Sequence, residues 1–98
     1  MSEQVLKRFK VRGRVQGVGF RSFVQKAGRT RLLRGWVKNN ADGSVTVEVI
    51  GPVEKVCLFM EDVRKGSFFS RVDDIEILHQ EMLGEEQDSS VADFEIRY

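Results

Sequence analysis

The chain has 98 residues, 41% hydrophobic and 32% charged, which bounds it to one soluble globular domain with a modest core. Its formal net charge of +1 offers no bulk attraction to nucleic acid or to a membrane. One cysteine and one histidine exclude an intrachain disulfide, a cysteine metal cluster and a multi-histidine metal site. No apolar run approaches the roughly 20 residues that span a bilayer. The start, Met1-Ser2-Glu3-Gln4, lacks an apolar signal segment. The expectation is a cytoplasmic protein.

Residues 5 to 15 alternate. Val5, Phe9, Val11, Gly13 and Val15 fall on one face, with Lys10, Arg12 and Arg14 on the other, the pattern of a half-buried strand. Over residues 20 to 31 the period changes, and Phe20, Phe23, Val24 and Ala27 recur at helical spacing. Gly28 continues that stripe at a helix-propensity cost of about 1 kcal/mol, so its expected role is close packing against the sheet. Residues 35 to 40 and 44 to 50 read as two strands joined by the turn Asn40-Ala41-Asp42-Gly43.

Gly51-Pro52 ends the second of these strands, with Pro52 expected in the first turn of a helix. That helix has the apolar stripe Val53, Val56, Cys57, Met60 and Val63, which places Cys57 in the core, and it closes at Gly66. Phe68 and Phe69 are expected to plug the end of the sheet; an exposed pair would instead form a contact patch. Val72, Ile75 and Ile77 indicate another strand, which takes in His79 in a structural role. The polar stretch from Glu81 to Asp93 reads as a loop, and Phe94, Ile96 and Tyr98 as a short last strand.

The order β-α-β-β-α-β-β predicts an α+β fold: a two-layer α/β sandwich with a mostly antiparallel sheet and two helices on one face. This is the split β-α-β, ferredoxin-like arrangement, in a single domain over 1–98.

The chemistry concentrates in Val15-Gln16-Gly17-Val18-Gly19-Phe20-Arg21, between the first strand and the first helix. Two glycines in three positions allow backbone angles that turn successive N–H groups toward one point. The helix start adds more free N–H groups and a positive dipole end. Arg21 in the first turn opposes that dipole, and no acid lies between Glu3 and Asp42 to compensate. A bound anion supplies the missing charge, so Arg21 and the backbone of Gln16, Gly17, Val18, Gly19 and Phe20 read as a phosphate cradle. It is not a nucleotide P-loop, because no Lys-Ser or Lys-Thr follows the glycines. Nor is it a dinucleotide G-x-G-x-x-G turn, because Ser22 follows Arg21. Asn39, in Gly35-Trp36-Val37-Lys38-Asn39-Asn40, is the second candidate. Its amide offers a donor and an acceptor, suited to holding a water. Asn40 reads as a turn residue and Trp36 as sheet surface or core.

Together the Val-Gln-Gly-Val-Gly-Phe-Arg run at 15–21 and Gly35-Trp36-Val37-Lys38-Asn39 resemble the acylphosphatase family. Asp42-Gly43-Ser44-Val45, Gly51-Pro52 and Phe94-Glu95-Ile96 extend the resemblance over nearly the whole chain. It implies a small cytoplasmic hydrolase that splits acyl phosphates into a carboxylate and inorganic phosphate. It also implies that Arg21 binds the phosphoryl group and that Asn39 orients the attacking water, with neither metal nor cofactor. The chain departs from the family pattern in three places. Arg31-Leu32-Leu33 replaces a common Leu-Gly-Leu run, Gly28 replaces a common Ala, and Ser67-Phe68-Phe69 lacks a common proline pair.

The expected partners are an acyl phosphate and inorganic phosphate or another anion, with no nucleic acid and no membrane, and the expected state is a monomer. Two other readings stand beside the hydrolase. One is a non-catalytic phosphate- or metabolite-binding module of the same fold. The other is an RNA-binding module, which the aromatic-free strand Ser44-Val45-Thr46-Val47-Glu48-Val49-Ile50 opposes. The acyl group is left open.

Overall fold

Val45, Val47 and Val49 alternate with polar residues and are wholly buried, which fixes their strand in the middle of a sheet with one face against the core. A computed structural model describes residues 3–85 and 93–98 of the chain. Its elements are β1 (Gln4–Arg14), α1 (Phe20–Thr30), β2 (Arg34–Asn39), β3 (Val45–Pro52), α2 (Val53–Lys65), β4 (Arg71–Gly84) and β5 (Phe94–Arg97). The sheet order is β4-β1-β3-β2-β5. All neighbours are antiparallel except β2 and β5, which run parallel. This is the predicted ferredoxin-like sandwich with an added edge strand.

Pairing directions decide where the site lies. β1 and β2 both run antiparallel to β3, so their C-terminal ends lie at one end of the sheet. β3 and β4 begin there, and β5 ends there. The loop after β1, the turn after β2, the turn before β4 and the last residue, Tyr98, are therefore gathered at one end.

The core joins Phe9, Val11 and Val37 of the sheet to Phe20 and Val24 of α1 and to Val56, Phe59 and Val63 of α2. Phe94 of β5 packs against Phe59 with ring centroids 5.4 Å apart. Gly28 provides the expected close approach: a methyl group there would lie 2.2 Å from the Phe94 ring. Gly66 caps α2 with φ 75°, as expected, and its N–H bonds the Asp62 carbonyl. At the end of α1, Leu32 adopts φ 58° at the position where the resembled pattern has glycine. Its N–H bonds Arg29 O and the Leu33 N–H bonds Gly28 O, so the helix terminates without the glycine.

Four expectations are corrected. Cys57 is exposed and Phe59 takes its place in the core, because the buried stripe of α2 runs through 56, 59 and 63. Phe68 and Phe69 are 93% and 70% exposed and plug nothing. Pro52 is the last residue of β3 and the helix N-cap rather than a residue of the first turn. The strand containing His79 continues through Gly84, where a loop was expected from Glu81, because β1 is long enough to pair with it up to Gln4↔Gly84. The rest of the expected loop, residues 86–92, lies outside the described residues.

Candidate active site

Leaving β1, the chain is pinned by buried Val15 and passes through Gly17 at φ 74° and Gly19 at φ 76°. Both angles are in the left-handed region that glycine enters without strain. Among the described residues, no acceptor within the protein takes the N–H groups of residues 16–19. Gly19 is the N-cap of α1, with no side-chain cap and no acid in the first turn. The free N–H groups of that first turn add to those of the loop.

The Gln16 side chain points away from this loop. Its Nε2 donates to Asn40 O at 2.8 Å and to Ser44 O at 2.9 Å, tying the loop to the turn between β2 and β3. That turn is itself stiff. Asn40 Nδ2 donates to Ser44 Oγ at 2.9 Å and to Thr46 Oγ1 at 2.8 Å. Asp42 accepts from the Ser44 hydroxyl and from its N–H. These two bonds, the hydroxyl foremost, hold the Asp42 carboxyl below its ordinary pKa.

A cavity of about 140 Å³ opens at this end of the sheet. Gly17, Gly19, Phe20 and Arg21 line one side, Asn39 another, and Ile96 and Tyr98 form a wall. A water's share of liquid volume is about 30 Å³, so a tetrahedral anion and a water fit together. Arg21 and Asn39, far apart in sequence, meet here. Gln16 and Val18 do not border the cavity; Val18 packs against the core.

Two features make this cavity the candidate site. The Arg21 guanidinium lies 4.8 Å from the centroid of the Tyr98 ring, and among the described residues no carboxylate pairs with it. Asn39 Oδ1 is buried and accepts no hydrogen bond. A buried acceptor of that kind calls for a donor from outside the protein. In a larger groove of about 420 Å³ between α1 and α2 the arginine, Arg31, is paired with Asp62 at 2.8 Å, and no buried amide oxygen there lacks a donor among the described residues.

Ile96 and Tyr98 were not singled out as site residues by the sequence. The only local signal was the alternation of the last strand. Their place in the cavity follows from β5 pairing in parallel with β2, a contact no local pattern encodes.

Residues 7–96 match the family model described as acylphosphatase. The chain belongs to the acylphosphatase family. It is 42% identical over 89 residues to an acylphosphatase of Oceanobacillus iheyensis, covering 90% of this chain and 92% of that one. With an acylphosphatase of Bacillus subtilis the identity is 49% over 73 residues, covering 74% and 80%. The crystal structure of acylphosphatase from Bacillus subtilis superposes with a TM-score of 0.81 at 41% identity, covering 96% of this chain and 99% of that one. Within the acylphosphatase match lie the loop, Arg21 and Asn39; Tyr98 lies just beyond it.

Proposed function

We propose that this cavity is the active centre of an acyl phosphate hydrolase in which Arg21 and Asn39 divide the work. The observation that supports this is one small cavity bordered by an arginine without a carboxylate and by Asn39, whose amide oxygen is buried without a donor. The arginine fork addresses two phosphoryl oxygens, and the N–H groups of the loop and first helical turn address the others. Asn39 Oδ1 accepts a hydrogen bond from a water and so aims its oxygen at phosphorus.

The reaction needs little else. Phosphoryl transfer passes through a loose transition state with charge on the equatorial oxygens, so positioning and electrostatics dominate. The bond from water oxygen to phosphorus forms as the bond from phosphorus to the acyl oxygen breaks. The acyl oxygen leaves with the electron pair as a carboxylate. Its conjugate acid has a pKa of roughly 4, so no general acid is required. The water's proton passes to a phosphoryl oxygen of the substrate.

Residues 1–98 act as one catalytic domain, without a cofactor and as a monomer, in the cytoplasm. Among the described residues no helix is long and apolar enough to cross a membrane. β3 has no aromatic residue to stack a base and bears Glu48, which argues against a nucleic-acid partner. Hydrolysis of benzoyl phosphate with a chelator present tests the reading, with inorganic phosphate as inhibitor. Turnover with competitive inhibition by phosphate is expected. Phosphate binding without turnover by the folded protein would reduce the site to a binding module.

A further inference from the structure

We propose that the turn between α2 and β4 is an interfacial anchor that docks the protein on an anionic lipid surface. Phe68 and Phe69 occupy its tip, 93% and 70% exposed, with ring centroids 4.9 Å apart and an edge-on angle of 77°. The turn beneath them is locked. The Ser67 N–H donates to Ser70 Oγ at 2.7 Å, the Ser70 N–H donates to Ser67 O at 3.2 Å, and Ser70 Oγ donates to the same carbonyl at 3.1 Å. Two large apolar side chains are thus held outward by a closed polar turn.

The run that carries them is cationic. Between Asp62 and Asp73 there is no acid, while Arg64, Lys65 and Arg71 flank the rings. Arg14 of β1 lies opposite Arg71 in the ladder and adds a fourth cation. Only Arg71 has a carboxylate partner, Asp73 at 2.9 Å; among the described residues Arg14, Arg64 and Lys65 have none. The helix dipole accounts for Arg64 and Lys65 in the last turn of α2. It accounts for neither the two exposed rings nor the lack of an acid from 63 to 72. The groove between the helices reaches the same place through Gly66, and Lys26 and Lys65 border it.

Exposed aromatic rings at the tip of a turn, flanked in sequence by cations, match the boundary between lipid headgroups and acyl chains. The rings enter the apolar layer while the cations stay with anionic headgroups. Such a tip encloses nothing, so a protein partner would need a pocket for both rings with acids around it. A lipid surface needs no such fit. The absence of a spanning segment does not oppose this, because interfacial docking requires none. The turn lies at the cavity end of the sheet, since Arg71 begins β4 opposite the last residue of β1. Docking brings that end of the molecule to the membrane.

The test is co-sedimentation of the whole protein with vesicles of phosphatidylcholine alone or with phosphatidylserine added, at low and high salt. Binding is expected to the phosphatidylserine vesicles and to weaken as salt screens it. Phe68→Ser/Phe69→Ser should lower the partition coefficient by about tenfold or more and keep benzoyl phosphate turnover. Arg64→Gln/Lys65→Gln should bind more weakly and with less dependence on salt. Equal binding by the Phe68→Ser/Phe69→Ser variant, or equal binding to both vesicle types, would overturn the proposal. So would no binding to either vesicle type.

Discussion

Alanine placed at Gly35 and at Gly19 separates close packing from backbone strain. Both glycines have positive φ, 156° and 76°. A methyl group at Gly19 meets nothing within 4 Å. Its cost is the left-handed conformation, about 1–2 kcal/mol, less about 0.4–1 kcal/mol from the stiffer unfolded chain. The net is about 1 kcal/mol. At Gly35 the same methyl would lie 2.0 Å from Glu48 O and 2.8 Å from the Phe94 ring. Neither neighbour can retreat. β3 is paired on both sides, and the Glu48 carboxylate is held by Arg8 at 2.7 Å and by Trp36 Nε1 at 3.1 Å. Phe94 is backed by Phe59. Overpacking of about 1–3 kcal/mol and backbone strain of about 1–3 kcal/mol, less the same unfolded-chain gain, give about 1–5 kcal/mol, centred on about 3 kcal/mol. For a domain of this size that lowers Tm by about 15–25 °C, against less than about 8 °C for Gly19→Ala. Urea unfolding of the two variants measures the difference, with an unchanged slope expected. Equal losses, or a Gly35→Ala loss below about 1 kcal/mol, would refute the packing at the β2–β3–β5 contact.

Gln16→Ala removes one of two donors from each of two carbonyls, Asn40 O keeping the Gly43 N–H and Ser44 O the Asn40 N–H, so a loss of about 1 kcal/mol is expected in urea unfolding, together with a higher KM for acyl phosphates. An unchanged KM would show that the tie to the turn does not hold the loop. Tyr98→Ala removes an exposed cation–π contact worth about 0.5–1 kcal/mol. Steady-state kinetics on acetyl phosphate should then show kcat/KM down by about two- to fivefold; a hundredfold loss would mean that Tyr98 touches the reacting groups. Asp42 is stabilised in its charged form by Ser44, so its contribution to stability is complete above the ordinary carboxyl pKa of about 4 and is lost as pH falls through the lower folded value. The Tm gap between the protein and Asp42→Asn should be constant from neutral pH down to about 5 and close below about 4. A gap that persists at acid pH would contradict the Ser44 bonds.

Local chemistry made much of this molecule legible in its sequence. The valine alternation of β3 and the switch of period at Phe20 gave the element order. The position of Gly28 on a buried stripe announced a close approach to the sheet, and the Gly17–Gly19 pair announced the loop. What stayed hidden depends on neighbours distant in the chain. Cys57 and Phe59 both flank the stripe centred on Val56 and Val63, and the ring of Phe94 across the interface selects Phe59. The extension of β4 past Glu81, through Met82 and Leu83, carries no alternation because this stretch of an edge strand is exposed on both sides, and only its partner β1 reveals it. The direction of Gln16, toward the β2–β3 turn, and the presence of Tyr98 beside Arg21 are likewise products of strand order.

The central claim is the division of roles between Arg21 and Asn39. Its most direct test is the phosphate inhibition constant and kcat of Arg21→Ala and Asn39→Ala on benzoyl phosphate. Arg21→Ala should weaken phosphate binding by about a hundredfold, the loss of a charged two-point contact. Asn39→Ala should bind phosphate within about threefold of the unaltered protein while kcat falls by about a hundredfold or more. Loss of phosphate affinity in Asn39→Ala, or full turnover in either variant, would contradict the account.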